Sequence, residues 1–249
     1  MMLSRVRGLR YRVLLPAAVV AVTLLSWVGN ATAITWDFLT FPEGTSVSAG
    51  SNTLTFISGG ISLTVTGWEL DSASDTSYTA ANLWKRNQGT DDEGLGVCSP
   101  ADGGNTNCLN SGAVNELDNR GSLEVIRLNL TDLTPLILAS AKLSSVDASD
   151  KYKIFGSNVA SPDLTSGSVT PLASGSNAGG VNPTVALSGT YTYLFITTDS
   201  LTIVSTDGSN YLVRNLSAAP VPEPGTLLLL GSGLAGMAGA AWRRTRSQA

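Results

Sequence analysis

Ile61-Ser62-Leu63-Thr64-Val65-Thr66 is the stretch that decides the fold. Apolar and polar residues alternate along it, which is typical of a β-strand with one face towards a core and the other towards solvent. Ser58-Gly59-Gly60 precedes it and has the composition of a tight turn. The stretch therefore predicts a half-buried strand that follows a turn.

Similar apolar or threonine-rich runs recur along the chain, separated by segments rich in Gly, Ser, Asn and Asp. They predict further strands at 36–41, 54–57, 123–130, 136–143, 152–155, 191–197, 201–205 and 211–216. No helical period is sustained between residues 34 and 219. Short strands with regular turn signals predict an all-β fold, namely a single β-sandwich or jelly-roll-like domain.

Two segments give more specific predictions. In residues 123–130 the apolar phase switches between Val125 and Ile126, which predicts a β-bulge; a strand buried on both faces would give the same pattern. Residues 165–183 are rich in Gly, Ser, Asn and Thr and predict a long loop within the domain. Trp36 and Tyr193 are expected in the core.

The N-terminal end, residues 1–33, has the organisation of a signal peptide. It begins with four arginines: Arg5, Arg7, Arg10 and Arg12. An apolar run over 13–28 follows, and Ala31-Thr32-Ala33 is an A-x-A cleavage site, so the mature chain is predicted to begin at Ile34. An uncleaved N-terminal anchor is the alternative.

The C-terminal end, residues 220–249, has a second targeting pattern. It opens with the motif Val221-Pro222-Glu223-Pro224-Gly225, and residues 225–242 then contain no charge. A helix of that length rises about 27 Å, which is enough to cross the hydrocarbon core of a membrane. Three arginines in the basic end 243–249 would stop transfer and stay in the cytoplasm: Arg243, Arg244 and Arg246. The sequence therefore predicts a transmembrane helix with the domain outside the cytoplasm.

This tail resembles the PEP-CTERM sorting signal of exported bacterial proteins. The resemblance rests on Pro222-Glu223-Pro224, on Leu227-Leu228-Leu229-Leu230-Gly231, on the Gly/Ala-rich second half of the span and on Arg243-Arg244. It implies exosortase, a membrane cysteine transpeptidase, as the partner that cuts near Pro-Glu-Pro and releases or re-attaches the domain. The resemblance concerns sorting and carries no activity for the domain.

The predicted domain, residues 34–219, is acidic. Seven arginines lie in the targeting segments, so the domain keeps 8 basic and 18 acidic residues, a net charge of about −10. Nucleic-acid binding needs a basic surface and is excluded. The chain has no histidine, which excludes Ser-His-Asp triads, Cys-His pairs and H-E-x-x-H sites. The domain is therefore predicted to be non-enzymatic; the paired carboxylates of a glycoside hydrolase are the remaining alternative.

The two cysteines, Cys98 and Cys108, are predicted to form a disulfide, because the chain carries export signals. Closing so short a loop stabilises a fold by about 3 kcal/mol on the chain-entropy model. The segment from Gly94 through both cysteines to Asn115-Glu116-Leu117-Asp118-Asn119 and Leu123-Glu124 resembles exported PEP-CTERM proteins with a β-sandwich domain. This second resemblance implies a jelly-roll-like fold and no assigned activity.

Acidic residues on both sides of the cysteines are hard oxygen donors, which a disulfide-pinned loop could bring together around a structural Ca²⁺ ion. They are Asp91, Asp92, Glu93, Glu116 and Asp118. The alternative is that they are solvated turn residues, with Asp118-Asn119 capping a turn before the strand. No other cofactor is predicted.

Trp68, Tyr78 and Trp84 flank polar turns and could form a glycan-binding platform; partly buried packing is the favoured alternative for each. Together these features predict an exported protein of the cell surface or extracellular matrix, sorted through its tail, with a structural or adhesive role. A carbohydrate-binding module for exopolysaccharide and a matrix glycoside hydrolase are the alternatives.

Overall fold

The computed structural model describes residues 33–40, 52–87, 93–99, 116–133, 136–177, 182–204, 208–220, 231 and 233–238. The chain divides into two units. One is Ala33–Pro220, and the second comprises Met1–Thr32 and Val221–Ala249. Of the second unit, Gly231 and residues 233–238 are helical. Within the described residues, the structure contains no helix with the length and apolar character needed to span a membrane. The predicted signal peptide and most of the predicted membrane span lie outside the described residues.

The regular secondary structure described in the unit Ala33–Pro220 is almost all β-strand, as the alternation pattern predicts. Its strands are β1 Ile34–Asp37, β2 Thr53–Ser58, β3 Ile61–Leu70, β4 Thr79–Ala80, β5 Asn82–Asn87, β6 Glu93–Cys98, β7 Leu123–Asn129, β8 Leu136–Ser144, β9 Lys151–Ser157, β10 Val169–Ser176, β11 Thr184–Ala186, β12 Tyr193–Thr198 and β13 Leu212–Pro220. A 3₁₀ turn at Thr131–Leu133 joins β7 to β8. The all-β prediction is confirmed.

The strands pair into two antiparallel sheets. Sheet A has the order β11-β8-β13-β6-β5, with β1 also paired to β13. Sheet B has the order β10-β9-β12-β7-β3-β2, with β4 also paired to β3. The chain passes back and forth between the sheets, so most neighbours within a sheet are distant in sequence.

The two sheets share one core. The main cluster of buried side chains combines Leu63, Val65 and Ile126 of sheet B with Trp36 and Leu216 of sheet A. Polar atoms also join the sheets: the indole Nε1 of Trp36 donates to the carbonyl oxygen of Ile61 at 3.1 Å. The prediction that Trp36 lies in the core is confirmed, since only 1% of its surface is exposed.

Strand β7 is buried on both faces, and the predicted β-bulge is wrong. Its register with β3 runs without a shift from Thr64↔Asn129 to Leu70↔Leu123. Ile126 and Leu128 face the main core, whereas Leu123 and Val125 belong to a second cluster on the other face of sheet B. This outer cluster consists of Leu70, Ala73, Leu123, Val125, Phe155, Leu164, Val169 and Phe195. The alternative explanation of the phase switch is therefore correct.

Two other predictions need correction. The segment predicted as a long loop, 165–183, contains β10, which pairs with β9 from Val169↔Ser157 to Ser176↔Lys151. Its small polar residues lie at a sheet edge, where little apolar burial is needed, so the sequence lacks a strand period. The predicted strand 201–205 is not one in its described part, where Val204 makes only an isolated bridge to Arg120. Its apolar residues, Leu201 and Ile203, pack against the outer cluster.

The first and last strands of the unit lie side by side. β1 pairs with β13 from Ile34↔Ala218 to Asp37↔Asn215. The pairing continues beyond β1, where the amide of Phe38 donates to the carbonyl oxygen of Arg214 at 3.1 Å. The residue predicted to begin the mature chain is therefore held next to the last strand before the tail.

Gly67→Ala is expected to lower the free energy of unfolding by about 1–3 kcal/mol, because it overpacks the point where β3 meets the start of β5. A Cβ at Gly67 would lie 2.6 Å from the carbonyl oxygen of Ala81. The backbones cannot simply separate, since the amide of Ala81 donates to the carbonyl oxygen of Gly67 at 3.1 Å. Gly167→Ala is the matched control, because a Cβ there meets nothing within 4 Å. Urea unfolding gives the free energy of unfolding of both variants. An equal loss in Gly67→Ala and Gly167→Ala would contradict the prediction.

Candidate functional site

Two of the three residues predicted to bind glycan meet on the outer face of sheet B. Trp68 lies in β3 and Tyr78 lies just before β4, and their ring centroids are 6.0 Å apart in an edge-on arrangement. Trp84 lies in β5, in sheet A. The structure therefore brings the first two together and places the third in the other sheet.

An arginine that the sequence analysis did not single out organises this region. The guanidinium carbon of Arg127 lies 4.7 Å from the ring centroid of Trp68 and 5.5 Å from that of Tyr193. Its Nε donates to Thr66 Oγ1 at 3.2 Å, and its Nη1 donates to the carbonyl oxygen of Ala160 at 2.8 Å. Cation–π contacts of this kind contribute about 0.5–2 kcal/mol each, depending on burial. We call Arg127, Trp68, Tyr78 and Tyr193 the Arg127 cluster.

The Arg127 cluster holds a covering segment against sheet B. The hydroxyl of Tyr78 donates to the carbonyl oxygen of Pro162 at 2.8 Å, two residues from the carbonyl that Arg127 binds. Between these anchors and β10, the amide of Leu164 donates to the carbonyl oxygen of Ala73 at 2.9 Å. The outer cluster thus lies under loops that the Arg127 cluster fastens in place.

Burial sets the electrostatics of this cluster. It raises the pKa of the Tyr78 hydroxyl above its ordinary value, an effect that the nearby Arg127 charge partly offsets. Burial also lowers the pKa of the Arg127 guanidinium from its ordinary value. The indole Nε1 of Trp68 donates to Thr66 Oγ1 at 2.7 Å. A ligand here would therefore find ring surfaces, with the indole and phenol donors already engaged within the chain.

Stability should fall at alkaline pH because of Tyr78 and Tyr211, whose pKa values burial raises. Tyr211 is fully buried, and its hydroxyl donates to the carbonyl oxygen of Thr197 at 2.5 Å. In the unfolded chain a tyrosine ionises near pH ~10. The stabilisation that comes from the raised folded-state pKa is therefore fully present below that pH and is lost as pH rises towards the folded pKa. Each tyrosine should add a slope of about 1.4 kcal/mol per pH unit above that point. Between about pH 9 and 11, the free energy of unfolding measured in urea should fall less steeply with pH in Tyr78→Phe and in Tyr211→Phe than in the wild type. The same pH dependence in both variants as in the wild type would refute the linkage.

The acidic residues predicted to bind calcium have partners within the chain where they are described. The carboxylate of Glu116 accepts from Arg86 Nη1 at 2.9 Å and from the Ser145 hydroxyl at 2.6 Å. Glu93 Oε2 lies 3.5 Å from Arg214 Nε. Asp118 accepts from the amide of Arg120 at 2.8 Å through Oδ1, as expected for a residue that caps a turn.

Glu124 is a buried carboxylate that the sequence analysis did not single out. It lies in β7 with no exposed surface. Its carboxylate accepts from the amide of Ser99 at 3.1 Å and from the amide of Asp118 at 2.9 Å. It therefore ties the chain after β6 to the chain before β7. The sequence signal is a carboxylate between two apolar residues, Leu123 and Val125, at the start of a strand.

The structure leaves the calcium and disulfide predictions open. Within the described part of the chain, no three His, Cys, Asp or Glu side chains come together in a way that could hold a metal ion. Asp91 and Asp92 lie outside the described residues, so the calcium site stays a prediction. Cys98 is buried at the end of β6 and is not a free thiol. Its predicted partner Cys108 also lies outside the described residues, and the pairing stays a prediction.

A small open pocket lies at one end of the unit. Its volume is about 210 Å³, and four leucines and the 189–192 segment line it together with Asn158. The Oδ1 atom of Asn158 accepts from the amide and the hydroxyl of Thr192 at 3.0 Å and 3.1 Å. The lining contains no acid and no basic side chain. The pocket therefore combines leucine side chains with the hydroxyl-bearing residues Thr190, Tyr191 and Thr192.

The tail is the part of the chain for which comparison with known proteins gives an assignment. The family described as the PEP-CTERM protein-sorting motif matches residues 220–245. Neither a comparison with curated proteins nor one with solved structures gives a match. The predicted PEP-CTERM tail is confirmed, and it indicates an exported protein that exosortase recognises. The match begins at Pro220, the last residue of β13.

Proposed function

We propose that this exported, exosortase-sorted protein is a non-enzymatic structural or adhesive component of the cell surface or extracellular matrix. The observation that carries the proposal is the fit between the folded unit and the targeting segments. β1 begins at Ile34, directly after the predicted cleavage site, and β13 ends at Pro220, where the sorting motif begins. The regular secondary structure described between the two signals is β-strand, apart from the short 3₁₀ turn at Thr131–Leu133.

The proposed architecture is one β-sandwich of the jelly-roll-like class. The shared core of sheets A and B supports it, as does a chain path that alternates between the sheets. Antiparallel sandwiches pack two sheets over a single core and carry their binding surfaces on loops and outer faces. Such a unit is suited to contact other molecules of a matrix by surface complementarity.

The proposed route has three steps. Residues 1–33 direct export and are removed, and residues 225–242 then hold the chain in the membrane with Arg243, Arg244 and Arg246 in the cytoplasm. Exosortase cuts near Pro222-Glu223-Pro224 and releases the domain or transfers it to a surface acceptor. Each step uses a segment at one end of the chain, so the domain reaches the surface with its sheets intact.

Intact-mass measurement of the protein from its native host tests this route. We expect a mass that runs from Ile34 to the neighbourhood of Pro224, with two thiols appearing only after reduction. Extra mass at the new C-terminus would identify transfer to an acceptor. A mass that retains Arg243 to Ala249 would contradict processing of the tail.

Carbohydrate binding is the second candidate function, and the Arg127 cluster favours it. Trp68 and Tyr193 present partly exposed rings on the outer face of sheet B, held by Arg127. Stacking on such rings is a common way to bind the apolar face of a sugar. It uses the ring face, so the engagement of the Trp68 indole donor with Thr66 does not prevent it. The half-buried ring surfaces are the feature that supports this candidate.

Affinity electrophoresis in host exopolysaccharide separates this candidate from a purely structural role. Trp68→Ala should abolish retardation of the wild-type protein, whereas Trp84→Ala, in the other sheet, serves as the matched control. Thermal melts of both variants check that the fold is kept. The same polysaccharide should yield no reducing ends with the wild type; release of reducing ends would contradict the non-enzymatic proposal and favour a matrix hydrolase.

A further inference from the structure

We propose that β13 is the strand through which the anchored domain bears mechanical load, and that its place in sheet A makes the C-terminal attachment resistant to pulling. This inference rests on the proposed anchoring through the tail and adds what the fold does once anchored. A domain held at a surface by its C-terminus is pulled through whichever strand precedes the attachment. Here that strand is β13, which ends at Pro220.

β13 is hydrogen-bonded along both of its edges. On one edge it pairs with β8 from Leu212↔Ser144 to Pro220↔Leu136, with register shifts between Val213 and Asn215 and between Ser217 and Ala218. On the other edge it pairs with β1 over four residues and with β6 at Val213↔Leu95. A C-terminal strand at a sheet edge would have a neighbour on one side only, whereas five of the nine residues of β13 also have a partner on its second side.

Side chains fasten β13 as well. Four of its apolar residues have no exposed surface: Leu212, Val213, Leu216 and Ala218. The guanidinium of Arg214 pairs with Asp37 of β1, and its Nε lies 3.5 Å from Glu93 of β6. The hydroxyls of Thr35 and Ser217 are hydrogen-bonded at 2.8 Å. Extracting β13 from the sheet would therefore break backbone bonds and core contacts together.

The direction of pulling decides how these bonds are loaded. Ser144 of β8 lies opposite Leu212, at the end of β13 remote from Pro220. If the domain is held at that remote end and pulled through Pro220, the β8–β13 bonds are loaded in shear and must fail together. Pulling between Ile34 and Pro220 is different, because Ile34 lies opposite Ala218 at the same end. This geometry opens the β1–β13 bonds one after another.

Single-molecule force measurements on the full chain in detergent compare these geometries. Each measurement uses two handles, attached at two of three positions. These positions are the C-terminus, the N-terminus and an azide-bearing residue introduced at Ser149, which is exposed in the turn after β8. The three pairs are C-terminus with position 149, N-terminus with position 149, and N-terminus with C-terminus. The second pair is the matched control, since it keeps the remote handle and loads the four residues of β1 in place of the nine of β13.

We expect unfolding with the C-terminus and position 149 to be at least about tenfold slower at the same force than with either other pair, because two or more hydrogen bonds of about 1 kcal/mol must break at once. Equal or faster unfolding with the C-terminus and position 149 would overturn the proposal. The measurement does not depend on cutting of the tail. Failure here therefore leaves the sorting route untouched, and failure of the intact-mass test leaves the mechanical result standing.

Discussion

A chain that ends at Pro220 should fold as a stable domain, whereas a chain that ends at Tyr211 should not fold. The two differ by β13, which pairs with β8, β1 and β6. Its four fully buried apolar residues are the ones named above, and burying a large apolar side chain contributes about 1.5–3 kcal/mol. Their loss would consume most of the ~5–15 kcal/mol that stabilises a typical domain, and the strand's backbone bonds would be lost as well.

Both chains can be exported behind the same signal peptide and compared by thermal melting and limited proteolysis. The chain that ends at Pro220 should melt cooperatively and resist protease. The chain that ends at Tyr211 should be degraded or aggregate. A cooperative transition in the shorter chain would show that sheet A closes without its central strand, which would contradict the pairing described here. A failure of the longer chain would instead show that residues of the tail take part in the fold.

Trp36→Ala should lower the free energy of unfolding by about 3–5 kcal/mol, the range for truncating a buried aromatic residue. Trp36 is 1% exposed and lies in the main core, and its indole donates to the carbonyl oxygen of Ile61 in sheet B. The substitution thus leaves a cavity and removes the indole hydrogen bond that joins the two sheets. For a domain of this size the melting temperature should fall by about 2–4 °C per kcal/mol.

Thr35→Ala is the matched control for this prediction. Thr35 is the neighbouring residue in β1 and is exposed, and it makes one hydrogen bond to Ser217 at the surface. Its loss should cost under about 1 kcal/mol. Urea unfolding of the two variants checks the contrast. A similarly small loss of stability in both variants would mean that β1 does not anchor the core. The pairing of β1 with β13 would then contribute little to the stability of the unit.

The sequence predicted β3 from the contrast between the two faces of its first six residues. β3 alternates Leu63 and Val65 with threonines, and the structure buries the two apolar side chains and leaves Thr64 partly exposed. β8, β9, β12 and β13 were likewise predicted with their centres in the right place. β9 and β12 were predicted from their apolar content, since they bury Ile154 and Ile196 in the main core and Phe155 and Phe195 in the outer cluster. The sorting tail was predictable for a different reason: its motif, span length and terminal charges lie close together in the chain.

The two segments that sequence reasoning misread, β7 and β10, lack a simple alternation of apolar and polar residues. β7 was predicted as a strand, but because it is buried on both faces its apolar residues change phase between Val125 and Ile126, which suggested a bulge. β10 lies at a sheet edge, and its small polar residues look like a loop. Periodicity reports the difference between two faces of one strand and carries no information on which strand lies beside it.

The Arg127 cluster was only partly predictable, because it depends on residues brought together by pairing. Trp68 and Tyr78 are close in sequence, but Arg127 and Tyr193 come from β7 and β12. Arg127 lies opposite Thr66 in the β3–β7 register, which is the contact that aligns it under the Trp68 ring. The same holds for Glu124, whose partners Ser99 and Asp118 belong to segments that meet only in the folded unit.

Strand β10 has a consequence for a protein that is crowded at a surface. It closes one edge of sheet B, and it contains Pro171 followed by a register shift before Ala173. Proline lacks the donor that a continuing ladder needs, and an irregular edge does not match the straight edge of another molecule. Neighbouring copies therefore cannot extend sheet B into a fibril through this edge. At this edge, neighbouring domains should therefore touch through side chains and not through backbone pairing.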